Sequence, residues 1–151
     1  MQVFRIAKRK YAQDLTGEGA RLFGGRWNKK LIPCIYTSES RSLAILEYSV
    51  NVNIDDIPRA LCMLTIDLSG HSIYEVKEPD LPGNWKSHPS PEETRNFGTK
   101  LLLDPEIEVI KIPSTVIPEE FNYILNPTHL KGKIKISAIQ DFFYDIRLKT
   151  V

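Results

Sequence analysis

The chain has 151 residues, a length typical of one domain and sufficient to bury a proper core. Hydrophobic residues make up 42% and charged residues 26%, the balance of a soluble globular protein, and a net charge of +1 argues against a bulk polyanion as the main partner. The longest apolar runs fall well short of the roughly 18 residues of a membrane span, and no signal peptide is visible; no membrane partner and a cytoplasmic location are expected.

In chain order, "VFRIA" opens as a short strand. The next twenty-odd residues, "YAQDLTGEGARLFGGRWNKK", are rich in Gly and show neither helical nor strand periodicity, so they read as one long loop. "IPCIYTS" reads as a strand. "SESRSLAILEYSV" follows as a helix with Ser38 as N-cap, Glu39 at the positive end of the dipole and Asn51 at its end. "ALCMLTIDL" reads as a long buried strand with "SIYEV" as its hairpin partner. After the loop "EPDLPGNWKSHPSP", "PEETRNFGTKLL" is a short helix with Pro91 at its start. "EVIKIPS", "FNYILNP", "KIKISAI" and "FFYDIRL" complete the chain as short strands separated by turn signals. The fold class expected is α+β, a single domain over residues 1–151 with a bent, mostly antiparallel sheet.

Cys34 and Cys62 lie within apolar runs and have no metal-site spacing, so they read as buried thiols. His71, His88 and His129 lack zinc spacing, and no metal is expected. No G-x-S-x-G elbow surrounds Ser114, which leaves little support for acyl transfer. There is no Walker A motif and no G-x-G-x-x-G after a strand. A dinucleotide, if bound, is not bound in the Rossmann manner.

Glu47 is the most informative residue. On a helical wheel Leu43, Ala44, Leu46 and Val50 share one arc, Glu47 falls inside it, and Arg41, Ser42 and Ser49 lie elsewhere. A carboxylate facing the core needs a partner; it is either a structural ion pair or a catalytic acid at a cleft. Arg26 follows Gly24 and Gly25, whose freedom lets a backbone turn sharply or approach a ligand. Its guanidinium fork suits phosphate, although an exposed loop arginine is the plainer reading. Trp27 is more simply a loop cover than a base-stacking surface. Tyr36 stands where a strand leads into the helix of Glu47. A second function class stays open: "KRKY", "RWNKK" and "KGKIK" interleave basic and aromatic residues, as in an RNA-binding module or a ribonuclease toxin. A non-enzymatic partner-binding module is a third.

Taken together, "GGRWN", "IYTSES", "LAILE", "LPGNW", "IPSTVIPEEFNYILNPTHL" and "FFYDIRL", in this order, resemble the RES domain family, with ten residues from Arg26 to Tyr36 and eleven more to Glu47. The resemblance implies a fold similar to ADP-ribosyltransferase toxins. It implies a toxin of a type II toxin–antitoxin system, with an Xre-like helix-turn-helix antitoxin as partner and no direct nucleic-acid binding by this chain. It further implies NAD as substrate, consumed by hydrolysis or phosphorolysis or by transfer of ADP-ribose to an acceptor protein. Arg26, Tyr36 and Glu47 fall on the family's catalytic positions. Arg26, Tyr36, Ser114 and Asn126 fall on its cofactor-binding positions.

Overall fold

The structure is a computed structural model that describes residues 1–150. Seven strands, β1 (Gln2–Lys8), β2 (Ile35–Ser38), β3 (Leu61–Asp67), β4 (Ile73–Glu75), β5 (Val109–Pro113), β6 (Phe121–Leu125) and β7 (Lys135–Phe142), form one sheet in the order β4-β5-β6-β2-β1-β3-β7. Every neighbouring pair is antiparallel except β4 and β5. The helices are α1 (Glu18–Phe23), α2 (Arg41–Asn51), α3 (Glu92–Leu103) and α4 (Pro127–Leu130). The α+β architecture with a mostly antiparallel sheet is the one expected.

Burial follows position. β3 lies between β1 and β7 and buries all but its last residue, hence the unbroken apolar run "LCML". The largest core cluster gathers Trp27, Trp85, Leu102, Ile110, Ile112 and Ile124. Full burial of one such aliphatic side chain stabilises the fold by roughly 1.5–3 kcal/mol.

Several expected elements are corrected. The long loop contains α1 and is entered through a 3-10 turn over Arg9–Tyr11. α1 has no buried residue, so it shows no apolar stripe for a periodicity reading. It is bounded by Gly17 and Gly24, with φ of 74° and 71°, and braced by Arg21 donating to the Glu18 carboxylate at 2.7 and 2.8 Å. "SIYEV" is not the hairpin partner of β3. Both edges of β3 are taken by β1 and β7, and β4 pairs in parallel with β5 at the far end of the sheet. "KIKISAI" and "FFYDIRL" are not two strands. No Pro, Asn or Gly interrupts the chain between them, and β7 runs on to Phe142 past a register shift opposite Thr65/Ile66 of β3. "DIRL" is then a 3-10 turn, with the Asp145 side chain accepting from the Arg147 N–H.

The N-cap of α2 is Ser40, whose Oγ accepts from the Leu43 N–H at 3.0 Å. Ser38 is held in the sheet by its pairing with Asn122 of β6, so the helix starts later. The helical wheel is also corrected at its end: Val50 is 56% exposed and Ser49 is buried. The C-terminal segment covers that side, with Tyr144 packed on Tyr48 and donating to Ser49 Oγ at 2.6 Å.

Cys34 and Cys62 are both buried and unpaired. Burial pushes the Cys34 thiol up to about 12. The raised folded-state value favours the neutral thiol; this contribution to stability is complete below the ordinary thiol pKa and is lost as pH rises through about 12. Ellman's reagent at pH 8 is expected to leave both thiols of the folded protein unmodified, and to titrate two per chain in urea. Rapid modification of Cys34 in the folded state would contradict its burial.

Candidate active site

The segment 24–28 forms a tight turn. The Gly25 N–H donates to the Asn28 carbonyl at 3.0 Å, and the same two residues form an isolated antiparallel bridge, leaving Arg26 and Trp27 at the corners. Asn28 is fully buried and locks the turn. Its Nδ2 donates to the carbonyls of Ala20 at 2.8 Å, Ile32 at 3.0 Å and Lys29 at 3.2 Å, and its Oδ1 accepts from the Tyr36 hydroxyl at 2.6 Å. The Trp27 N–H donates to the same hydroxyl at 3.1 Å. Enclosure of the hydroxyl raises the Tyr36 pKa, while the Trp27 N–H and Arg26 act in the opposite sense; the phenol stays neutral. Part of the ring remains exposed.

Both glycines before Arg26 have a geometric reason. Gly24 has a φ of 71°. A Cβ on Gly25 would stand 2.8 Å from the Tyr36 hydroxyl and 3.0 Å from Asn28 Oδ1. α3 holds the turn from the other side: a Cβ on Gly98 would meet the Trp27 carbonyl oxygen at 2.0 Å, and Thr99 Oγ1 accepts from the Lys29 N–H at 3.0 Å. Trp27 is 3% exposed, belongs to the largest core cluster and makes an edge contact with Phe97, so it is a core side chain rather than a cover for the loop.

Arg26 is half-buried. Its Nη1 donates to the carbonyls of Trp85 at 2.9 Å and Ser87 at 2.8 Å. Nε and Nη2 have no hydrogen-bond partner among the described residues. Desolvation lowers its pKa, and Glu47 and Tyr36 oppose that shift, so the three residues share one electrostatic neighbourhood. The guanidinium remains charged. No ion pair joins Arg26 to Glu47 among the described residues, which leaves the two charges free to face a ligand.

Glu47 is half-buried on α2. Its Oε1 accepts from Ser114 Oγ and from Asn122 Nδ2, both at 2.7 Å. Ser114 is fully buried, and its Oγ also accepts from the Val116 and Ile117 N–H groups at 3.0 and 3.1 Å. Asn122 is fixed in turn by the Ser38 hydroxyl, which donates to its Oδ1 at 2.7 Å. Glu47 Oε2 has no hydrogen bond among the described residues and is not sealed from solvent. The carboxylate is thus held by one oxygen and free at the other.

The structure brings together Arg26, Tyr36, Glu47 and Ser114. Asn126 lies four residues beyond Asn122, about 13 Å along an extended strand. Its Oδ1 caps α4 and its Nδ2 donates to the Leu102 carbonyl at 2.6 Å, contacts that account for its side chain without a ligand. Two site residues, Asn28 and Asn122, were not singled out from the sequence. Both stand inside quoted motifs, "GGRWN" and "FNYIL", where only the fold shows what they hold. Arg5 on β1 is a further half-buried guanidinium with no hydrogen bond or ion pair among the described residues; burial lowers its pKa, against Cys34 and Asp14. No group of three His, Cys, Asp or Glu that could hold a metal is found among the described residues.

With the guanidinium of Arg26 on a glycine-bounded turn and the carboxylate of Glu47 on α2, over a mostly antiparallel sheet, the chain belongs to the RES domain family, whose model matches residues 2–145. It is 36% identical over 152 residues to "Toxin Res" of Yersinia enterocolitica, across 99% of this chain and 100% of that protein. It is 33% identical to the "Prs ADP-ribosylating toxin" of a Sphingobium species, across 91% of this chain and 88% of that one. In fold it is similar to a chain of the M. tuberculosis MbcT-MbcA toxin-antitoxin complex, with a TM-score of 0.77 at 18% identity over 94% of this chain and 84% of that one.

Gly98→Ala tests the clamp on the turn. Helix propensity alone would make alanine better than glycine inside α3 by about 1 kcal/mol. The clash with Trp27 reverses the sign, and a loss of about 1–3 kcal/mol in urea unfolding is expected. A stabilised variant would show that α3 does not press on the turn.

Proposed function

We propose that the chain is the toxin of a toxin–antitoxin pair and that it cleaves the bond between nicotinamide and ribose in NAD. The observation that carries the reading is the divided Glu47 carboxylate, anchored at Oε1 by Ser114 and Asn122 and open at Oε2, beside an Arg26 with which it makes no ion pair. Relatives named as Res toxins, and one named for ADP-ribosylation, a reaction that consumes NAD, support it.

The chemistry follows from charge. As the ribose C1′–N bond breaks, its electron pair leaves on nicotinamide, which becomes neutral, and positive charge spreads over the ribose as an oxocarbenium-like ion. A carboxylate oxygen aimed there interacts more strongly with the transition state than with the substrate. Glu47 Oε2 has that freedom, and Ser114 and Asn122 keep the group from rotating as charge develops. Arg26 holds the NAD diphosphate through Nε and Nη2, since Nη1 is already engaged. Tyr36, tethered by its hydroxyl, offers its ring to the nicotinamide. Ser114 is a positioning residue for Glu47. Asn126 supports the helix end beside β6. The acceptor of ADP-ribose is water, phosphate or a protein side chain. The cognate partner is an Xre-like helix-turn-helix antitoxin.

Free nicotinamide, followed by chromatography, tests the assignment. Glu47→Gln keeps size and loses charge; release should fall by at least 100-fold while NAD affinity changes by no more than a few fold. Equal losses of binding and turnover would contradict a transition-state role. Arg26→Ala should instead raise KM by about ten-fold or more, with Arg26→Lys only a partial rescue. An unchanged KM in Arg26→Ala would remove the diphosphate contact.

A further inference from the structure

Beside the Gly24–Gly25 turn lies a cavity of about 460 Å³. Its walls are Phe23, Lys29, Lys30 and Arg95, with Gly24, Gly25 and Ser90. Glu47, Arg26 and Tyr36 do not line it, and no carboxylate among the described residues does. Lys29 and Lys30 are exposed and enter no ion pair among the described residues. Arg95 donates from Nη1 to the Ser90 carbonyl at 2.5 Å and is likewise without an ion pair. Glu93, the acid that senses Arg95, stands outside the lining and accepts from Asn84. Three like charges around one concavity repel each other unless an anion enters. Phe23, 80% exposed, adds a largely open aromatic face, the kind of surface on which a base stacks. The volume lies in the range of small-molecule sites.

We propose that this pocket is an anion subsite for a phosphate group, formed by Lys29, Lys30 and Arg95 with Phe23 at its rim, next to the turn that carries Arg26. The phosphate is either the adenylate-side phosphate of the NAD diphosphate, with Arg26 then holding the nicotinamide-side one, or free phosphate. That choice of source rests on the function proposed above; the phosphate chemistry of the pocket does not. Gly25 is common to both places: it lines the pocket, and its α-carbon is pressed against the Tyr36 hydroxyl. An anion seated in the pocket therefore sits against the same turn that presents Arg26.

The test compares the parent protein with the double variant Lys29→Gln/Lys30→Gln, which removes two charges and leaves the backbone contact of Lys29 to Thr99 intact. Sodium pyrophosphate is titrated while the amide NMR signals of Gly24, Gly25 and Ser90 are followed. Saturable shifts are expected in the parent, with affinity reduced about ten-fold or more in the variant and falling with salt. Absence of saturable shifts at these amides, or equal affinity in the variant, overturns the proposal. Arg95→Lys should keep most of the affinity and Arg95→Gln should lose it; equal loss in both would make Arg95 a purely structural contact to Ser90 and remove it from the site. Nicotinamide release then identifies the source. If the phosphate belongs to NAD, the double variant raises KM for NAD with kcat kept. If it is free phosphate, KM for NAD is unchanged and stimulation by added phosphate is lost. A variant that alters neither overturns the placement beside the reaction. Pyrophosphate binding without nicotinamide release by either protein would sink the NAD reading and leave the pocket standing.

Discussion

The hydrogen bond from the Tyr36 hydroxyl to the buried amide of Asn28 is the tie on which the candidate site depends. Asn28 has one oxygen and two N–H donors, and all are engaged. Through them α1, the segment leading to β2 and the central sheet share one fixed point. An amide with no exposure would be costly if any of these bonds were missing, so the turn has a single acceptable arrangement. That arrangement sets the direction of Arg26, whose Nη1 reaches the 85–87 segment and whose remaining donors stay open.

Glu47 is positioned by different means. The β2–β6 pairing sets Ser38 opposite Asn122, and their side-chain bond aims the Asn122 amide at Glu47. Ser114 lies just beyond β5 in the chain, and its hydroxyl gathers two backbone N–H groups before donating its own proton to the carboxylate. Each member of this chain of bonds has its acceptor satisfied by the next. The group that stays unsatisfied among the described residues is Oε2, and in the proposed reaction a developing cation would be stabilised there with little reorganisation. The same logic of one engaged and one open atom applies to Arg26.

The architecture was legible in the sequence where burial leaves a pattern. The run of β3, the helix of Glu47 and the strands β5 and β6 were placed from period and turn residues alone. α1 was not, because a six-residue helix with every side chain at least partly exposed has no pattern to read. The partner of β4 was not, because strand pairing is non-local and sequence adjacency favoured β3. Ser38 and Ser40 are both good caps by type; only the bond between Ser38 and Asn122 decides between them. At the candidate site, residue type and motif order single out Arg26, Tyr36, Glu47 and Ser114. Asn28 and Asn122 were passed over because an asparagine advertises no chemistry until its partners are known.

Gly25 and Gly98 carry no functional group, yet each holds a place that one methyl group would close. On the function proposed above, a map of inactivating substitutions would mark them as strongly as it marks Glu47. Read without the structure, such a map would overstate the number of residues that touch the substrate. The way to separate the two kinds is size: positions that fail with every side chain larger than hydrogen define the mould, and positions that fail only when charge is lost define the reaction.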